Sequence, residues 1–101
     1  MGARVVLSIG DEIVGEIELD EPLTVVGRHP NCDIVIRHPA ISQHHALFRV
    51  VGGTVYAEDL GSTNGLKING VRTSRQAMHH MDQIELGLHK IHFSSYSDAH
   101  L

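Results

Sequence analysis

DLGSTNGLKING, residues Asp59 to Gly70, has almost nothing to bury. Gly61, Gly65 and Gly70 frame the polar run Ser62-Thr63-Asn64, and an Asn69-Gly70 pair closes the stretch. Asn-Gly between two short extended pieces, here KI and VR, is the strongest two-residue hairpin signal, because a type I′ turn needs positive φ at both positions. The stretch therefore predicts a loop followed by a hairpin. It also holds a row of small side-chain and backbone donors between glycines, where no core needs them.

Further strands are legible on either side. RVVLSI (Arg4–Ile9) and IVGEIEL (Ile13–Leu19) flank a polar GDE. In the second, Ile13, Gly15, Ile17 and Leu19 alternate against Val14, Glu16 and Glu18, a period-2 strand pattern. LTVVG (Leu23–Gly27) follows Pro22, and DIVI (Asp33–Ile36) and HALFRVV (His45–Val51) come next. Gly52-Gly53 then turns the chain into TVYAED (Thr54–Asp59), and QIEL and KIHFS close it. Many short strands at such spacing read as a sandwich or barrel. One segment disagrees: TSRQAMHHMDQIEL (Thr73–Leu86) lacks Gly and Pro and places Met78, Met81 and Ile84 three apart, so propensity alone predicts a helix there.

The chain has 101 residues, enough for one domain. Its hydrophobic fraction of 42% and charged fraction of 20% are those of an ordinary globular domain. With only 2 Phe, 2 Tyr and no Trp, the core must be aliphatic and branched. A formal net charge of −4 argues against a nucleic-acid partner, which needs a basic face to replace counterions. No block of like charge suggests a membrane patch, and the apolar run near the N-terminus is too short for a signal sequence or a span. Cys32 is the single cysteine and cannot form an internal disulfide, so a cytoplasmic domain is the default expectation. Residues 1–95 read as the domain, and 96–101, within SSYSDAHL, as a tail or linker stub of what could be a larger multidomain protein.

Three polar clusters lie between the strands: GRHPNC (Gly27–Cys32), HPAISQHH (His38–His45) and GSTNG (Gly61–Gly65). All follow short strands, so they can meet at one end of a sandwich. They supply Arg28, Ser42, Thr63, Asn64 and free backbone N–H groups, and the nearest carboxylate is Asp33, just outside. A donor-only pocket with one arginine suits a doubly charged oxyanion such as a phosphate. Taken singly, each cluster reads more readily as ordinary turn or surface chemistry.

Their order and spacing say more. Gly27-Arg28, then DIVI, PAISQHHA, DLGSTNG, Asn69-Gly70 and DQIELG (Asp82–Gly87) resemble, in succession, the forkhead-associated (FHA) domain family, over roughly residues 20 to 93. That family reads phosphorylated motifs through arginine. The resemblance implies an all-β fold: a twisted β-sandwich of about eleven short, mainly antiparallel strands with its functional loops at one end. It implies turn and strand, not helix, across residues 73–86. It implies a phosphothreonine-containing protein or peptide as partner, with threonine favoured over serine, no cofactor and no catalysis. Carried onto this chain, Arg28, Ser42 and Thr63 bind phosphate. Gln43 and Asn64 bind the partner's main chain, and Gly27, His45 and Gly65 hold the site's shape. Three positions depart from the family's pattern: Gln43 stands where Arg or Asn is frequent, His38 where Asp is frequent, and Met81 where Gly is frequent. They keep open the alternative of an FHA-fold scaffold that recruits partners without phosphate.

Two other classes are weaker. Ser42, His45 and Asp59 can be drawn as a catalytic triad, but GSTNG is not a G-x-S-x-G elbow and nothing completes a P-loop. The 9 histidines include the neighbours His44-His45 and His79-His80, but adjacent strand residues point to opposite faces and chelate poorly, and Cys32 is not spaced with them as in a zinc site. No metal site is expected.

Overall fold

The computed structural model describes residues 2–96. Eleven strands form in chain order: β1 (Gly2–Ile9), β2 (Glu12–Glu18), β3 (Leu23–Gly27), β4 (Ile34–Val35), β5 (Ala46–Val51), β6 (Thr54–Asp59), β7 (Lys67–Ile68), β8 (Val71–Arg72), β9 (Arg75–Ala77), β10 (Gln83–Leu86) and β11 (His89–Tyr96). They make two sheets, one ordered β2-β1-β11-β10-β7-β8 and the other β4-β3-β5-β6-β9. All pairs are antiparallel except β3 with β4. This is the expected β-sandwich. β11 runs to Tyr96, and the rest of the expected tail, 97–101, lies outside the described residues.

The two inner faces bury Val5, Val26, Ile34, Val55, Ile68, Ile84, Leu86 and Ile91 with Phe48 and Phe93, the branched aliphatic core the composition demands. Each such side chain contributes about 1.5–3 kcal/mol on leaving water. Five members of the core, Leu19, Ile36, Ile41, Leu66 and Met78, lie outside the strands. Ile41 and Leu66 are each 1% exposed although polar residues surround them in the chain. They plug the loops on either side of the later site into the sandwich.

β1 and β2 pair with one irregularity. Leu7 faces Gly15 but Ser8 faces Ile13, so Val14 is an extra residue in a bulge. The simple alternation expected for Ile13–Leu19 holds only beyond it. Ile13 is turned to the outer face beside Val6 and Ser8 and is 69% exposed.

The helix that propensity favours at Thr73–Leu86 does not form. Arg75–Ala77 instead pair with Glu58–Tyr56 of β6, and Met78 N–H donates to Val55 O at 2.7 Å. Met78 is buried, whereas Met81 has φ 77° and is 78% exposed, so the spacing of three never builds one helical face. Sheet pairing overrides local propensity, a weak prior. The Asn69-Gly70 hairpin is present, with φ 52° and 85° and Ile68 opposite Val71. On the outer face of the smaller sheet, Glu58 ties three strands, accepting from Arg49 Nε at 2.8 Å and Arg75 Nε at 3.2 Å. The Arg49 hydrogen bond is the main reason its carboxyl sits below the usual range.

Candidate phosphopeptide cleft

The loops at one end are assembled by backbone bonds from strand ends. β3 stops at Gly27, whose carbonyl accepts from Ile36 N–H at 2.9 Å. Beyond it, Arg28 N–H donates to Ser42 O and His29 N–H to Gln43 O, each at 3.0 Å. This brings GRHPNC against HPAISQHH. The approach leaves no room for a side chain at Gly27: a Cβ there would lie 2.2 Å from Gln43 O and 2.9 Å from its carbonyl carbon. The Asp33 carboxylate, the one acid near these clusters, accepts from Val25 N–H at 2.8 Å and is thereby committed to β3.

DLGSTNG is folded by its own side chains. Asp59 accepts from the Ser62 hydroxyl and from Ser62 N–H, and Ser62 Oγ in turn accepts from Gly65 N–H at 2.9 Å. The turn passes through Gly65 at φ 82°. Thr63 and Asn64 are left exposed at its tip. Thr63 N–H donates to Ser42 Oγ at 3.1 Å, and Asn64 Nδ2 to Ala40 O at 2.8 Å. Part of the donor row seen in the sequence therefore braces the loops.

His45 stands beneath all of this with 0% exposure. Its Nδ1 accepts from Ser42 N–H at 3.1 Å, so the ring proton is on Nε2, which donates to Gly65 O at 2.8 Å. One ring thus joins the Ser42 loop to the Thr63 loop. The same geometry dissolves the imagined triad. Neither ring nitrogen of His45 engages the Ser42 hydroxyl, and Asp59 is occupied by Ser62.

The result is a cleft of about 310 Å³ lined by Arg28, Pro39, Ala40, Ile41, Ser42, Gln43, Thr63 and Asn64. All five residues expected to contact phosphate or peptide are brought together in it. Gly27, His45 and Gly65 lie behind it. Arg28 is exposed and donates through Nε to Ile41 O at 3.0 Å, leaving its terminal nitrogens without a partner among the described residues. Among the described residues, no carboxylate lines the cleft. Hydroxyls, amides and a guanidinium without an acid favour an oxyanion and disfavour a cation.

His38 keeps the loop shape that an aspartate would give: its Nδ1 accepts from Ala40 N–H, two residues on, at 3.1 Å, an Asx-type turn made by an imidazole. Met81 lies in a turn closed by Asp82 N–H to His79 O, far from the cleft. Four histidines meet in pairs, His29 stacked on His44 and His38 edge-on to His89, both at 5.2 Å, while His80 Nδ1 accepts from Ser95 N–H and His92 Nε2 lies 3.1 Å from Ser8 Oγ. Among the described residues, no group of three or more His, Cys, Asp or Glu side chains is placed to hold a metal ion. Cys32 is buried with its thiol 3.3 Å from Gln43 O, and burial raises its pKa, which makes it a packing residue rather than a nucleophile. No helix among the described residues is long and apolar enough to cross a membrane.

Asp59, Ser62, Ile41 and Leu66 carry the loop geometry, a role the sequence does not assign to any of them: Asp59 enters it only as an imagined triad member and Ser62 only as one of a polar run. The available signals were the Asp-x-x-Ser spacing, which favours a local side-chain turn, and single aliphatic residues inside otherwise polar stretches.

Comparison with known proteins places this architecture. The sequence profile of the FHA domain matches residues 24–87. The chain is 34% identical over 91 residues to the oxoglutarate dehydrogenase inhibitor of Corynebacterium glutamicum, covering 90% of this chain and 64% of that protein. It thus spans somewhat under two thirds of that relative's length. The crystal structure of the FHA domain of CT664 from Chlamydia trachomatis superposes with a TM-score of 0.88 at 27% identity, covering 96% of this chain and 100% of the other. Mycobacterium tuberculosis EmbR, solved in complex with a low-affinity phosphopeptide, superposes with a TM-score of 0.85 at 25% identity, covering 99% of this chain and 26% of EmbR. With the profile matched across both cleft loops and the whole sandwich superposed, the chain belongs to the FHA domain family.

Proposed function

We propose that this chain is a phosphothreonine-dependent protein–protein interaction module, binding a phosphorylated partner segment in cytoplasmic Ser/Thr-kinase signalling or regulated assembly, without catalysis. The observation that carries the reading is the carboxylate-free cleft on which Arg28, Ser42, Thr63 and Asn64 converge. Phosphothreonine brings close to two negative charges and three acceptor oxygens at neutral pH. The free Arg28 nitrogens and the hydroxyls of Ser42 and Thr63 meet those oxygens. Gln43 and the remaining amide groups of Asn64 take the partner's backbone. Gly27, His45 and Gly65 hold the donors in place. EmbR, of the same fold, was solved with a phosphopeptide, which supports the reading. The phosphate-free scaffold is the competing reading. It is disfavoured because the two loops are braced to leave donors, not apolar surface, at the cleft. Titration calorimetry with a degenerate phosphothreonine library and its unphosphorylated twin tests the choice. Heat from the phosphorylated pool alone is the expected outcome, and equal heats select the scaffold.

A further inference from the structure

A second cleft of about 440 Å³ adjoins the first and is lined by Arg28, Arg37, His38 and Pro39, so the two share Arg28 and Pro39. Arg37 is placed there by the fold. It follows Ile36, whose N–H is fixed on Gly27 O, so the chain carries it past the point where Gly27 delivers Arg28. Of the other arginines, Arg4 pairs with Glu16 and Arg49 and Arg75 with Glu58, while Arg72 lies against Gly65, away from this second cleft. Arg28 and Arg37 have no carboxylate partner among the described residues, and none lines either cleft. His38 adds a polar group, since Nδ1 is committed to Ala40 N–H and Nε2 is the nitrogen left over. Two unneutralised guanidiniums side by side, on a chain of net charge −4, form a local positive field that one phosphate on Arg28 does not fill.

We infer that Arg37, with Arg28 and His38, forms a second anion subsite that takes a second phosphoryl group on the same partner segment, so that the preferred ligand is doubly phosphorylated. This rests on the phosphothreonine reading of the first cleft and adds to it a choice among partners. The second group binds as a dianion through charge-assisted hydrogen bonds, and no bond is made or broken.

The test is calorimetry with a peptide carrying one phosphothreonine and a panel in which a second phosphothreonine is placed at successive positions on either side. A matching set carries glutamate at the second position, and each peptide is titrated into the wild-type chain and Arg37→Gln. At one spacing the doubly phosphorylated peptide should bind about tenfold or more tightly than the singly phosphorylated one, the scale of one charged hydrogen bond. Arg37→Gln should return it to the single-phosphate affinity while leaving the single-phosphate peptide and the melting temperature unchanged. A gain at no spacing, an equal gain at every spacing, or a gain that survives Arg37→Gln overturns the subsite. An equal gain from glutamate overturns the preference for a second phosphoryl group. Failure of the singly phosphorylated peptide to bind is a separate readout and counts against the first cleft instead.

Discussion

The loop end and the opposite end of the sandwich are similarly open, with clefts of about 310 and 320 Å³, yet they are built from different material. The far cleft is walled by Ala3, Leu19, Val50, Val55, Met78 and Phe93, the margins of the core. Its Gly52-Gly53 and Asn69-Gly70 turns follow from local residue type, at φ 58° and 83° and at φ 52° and 85°, and its side-chain braces, Asp82 on His79 N–H, Asn69 on Gln83 N–H and His80 on Ser95 N–H, are exposed. At the loop end, side chains hold backbone. His45, Asp59, Ser62, His38 and Asp33 each bond a main-chain group, and buried His45 reaches Gly65, 20 residues away. An exposed donor surface cannot be organised by burying itself. It needs buried polar braces behind it, and a lost brace leaves an unpaired group that costs more than the bond was worth.

His45→Ala is the sharpest way to break that contrast. It strands Ser42 N–H and Gly65 O, both partnered by the ring, and opens a cavity at a site with 0% exposure. At about 1–3 kcal/mol for each of the two stranded groups, stability should fall by about 2–6 kcal/mol. Urea titration measures it, and phosphopeptide affinity should fall in parallel. An unchanged midpoint would show that the ring does not brace the loops.

Arg28→Ala should do the reverse. It removes the charged donor of the cleft and should weaken phosphopeptide binding by about 1.5–3 kcal/mol. Arg28 is exposed, so the melting temperature should scarcely move, as for most surface substitutions. A variant that melts early would make Arg28 a structural residue and weaken the phosphate assignment.

A smaller effect should come from pH in the unliganded protein. His89 is 4% exposed, its Nδ1 has no hydrogen-bond partner among the described residues, and its ring meets that of His38. Burial, followed by the charge of His38, pushes its pKa below the ordinary 6.5. Because the folded value is the lower one, the unfolded chain takes up the proton first as pH falls. This contribution to stability is complete above pH 6.5 and is lost as pH drops through the lowered value. Denaturation midpoints measured from neutral to mildly acid pH should show the decline, and His89→Gln should flatten it. An identical slope in the variant would place the dependence elsewhere.

The same division explains what was legible in the sequence. The strands were, because alternation and Gly or Asn-Gly turns are local signals. Arg28, Ser42, Thr63 and Asn64 were legible as a set, through their order between strands and the family resemblance. The bracing roles of Asp59 and Ser62 escaped because side-chain bracing leaves only a faint spacing mark, and Ile41 and Leu66 because one aliphatic residue in a polar loop has no periodicity. The bulge at Val14 was invisible for a related reason: one inserted residue looks like unbroken alternation until a partner strand sets the register. The false helix at Thr73–Leu86 arose where local propensity was good but the hydrogen bonds were claimed by β6 and β11.

That segment also supplies the mildest test of the comparison. Met81 sits third in a turn closed by Asp82 N–H to His79 O at 3.0 Å, and holds φ 77° with its side chain 78% exposed. A side chain in left-handed backbone costs about 1–2 kcal/mol, and exposure means that little packing offsets it. Glycine adopts that φ freely but gives the unfolded chain more freedom, a loss of about 0.5–1 kcal/mol. The difference leaves Met81→Gly stabilising by about 0.5–1 kcal/mol, a small upward shift of the melting temperature. Phosphopeptide affinity should not change, because the turn lies at the far end and shares no brace with the cleft. If stability falls instead, Met81 makes contacts that outweigh its strain. If affinity moves with stability, the two ends are coupled through the sandwich, and the separation between the far end and the binding end with its buried brace fails.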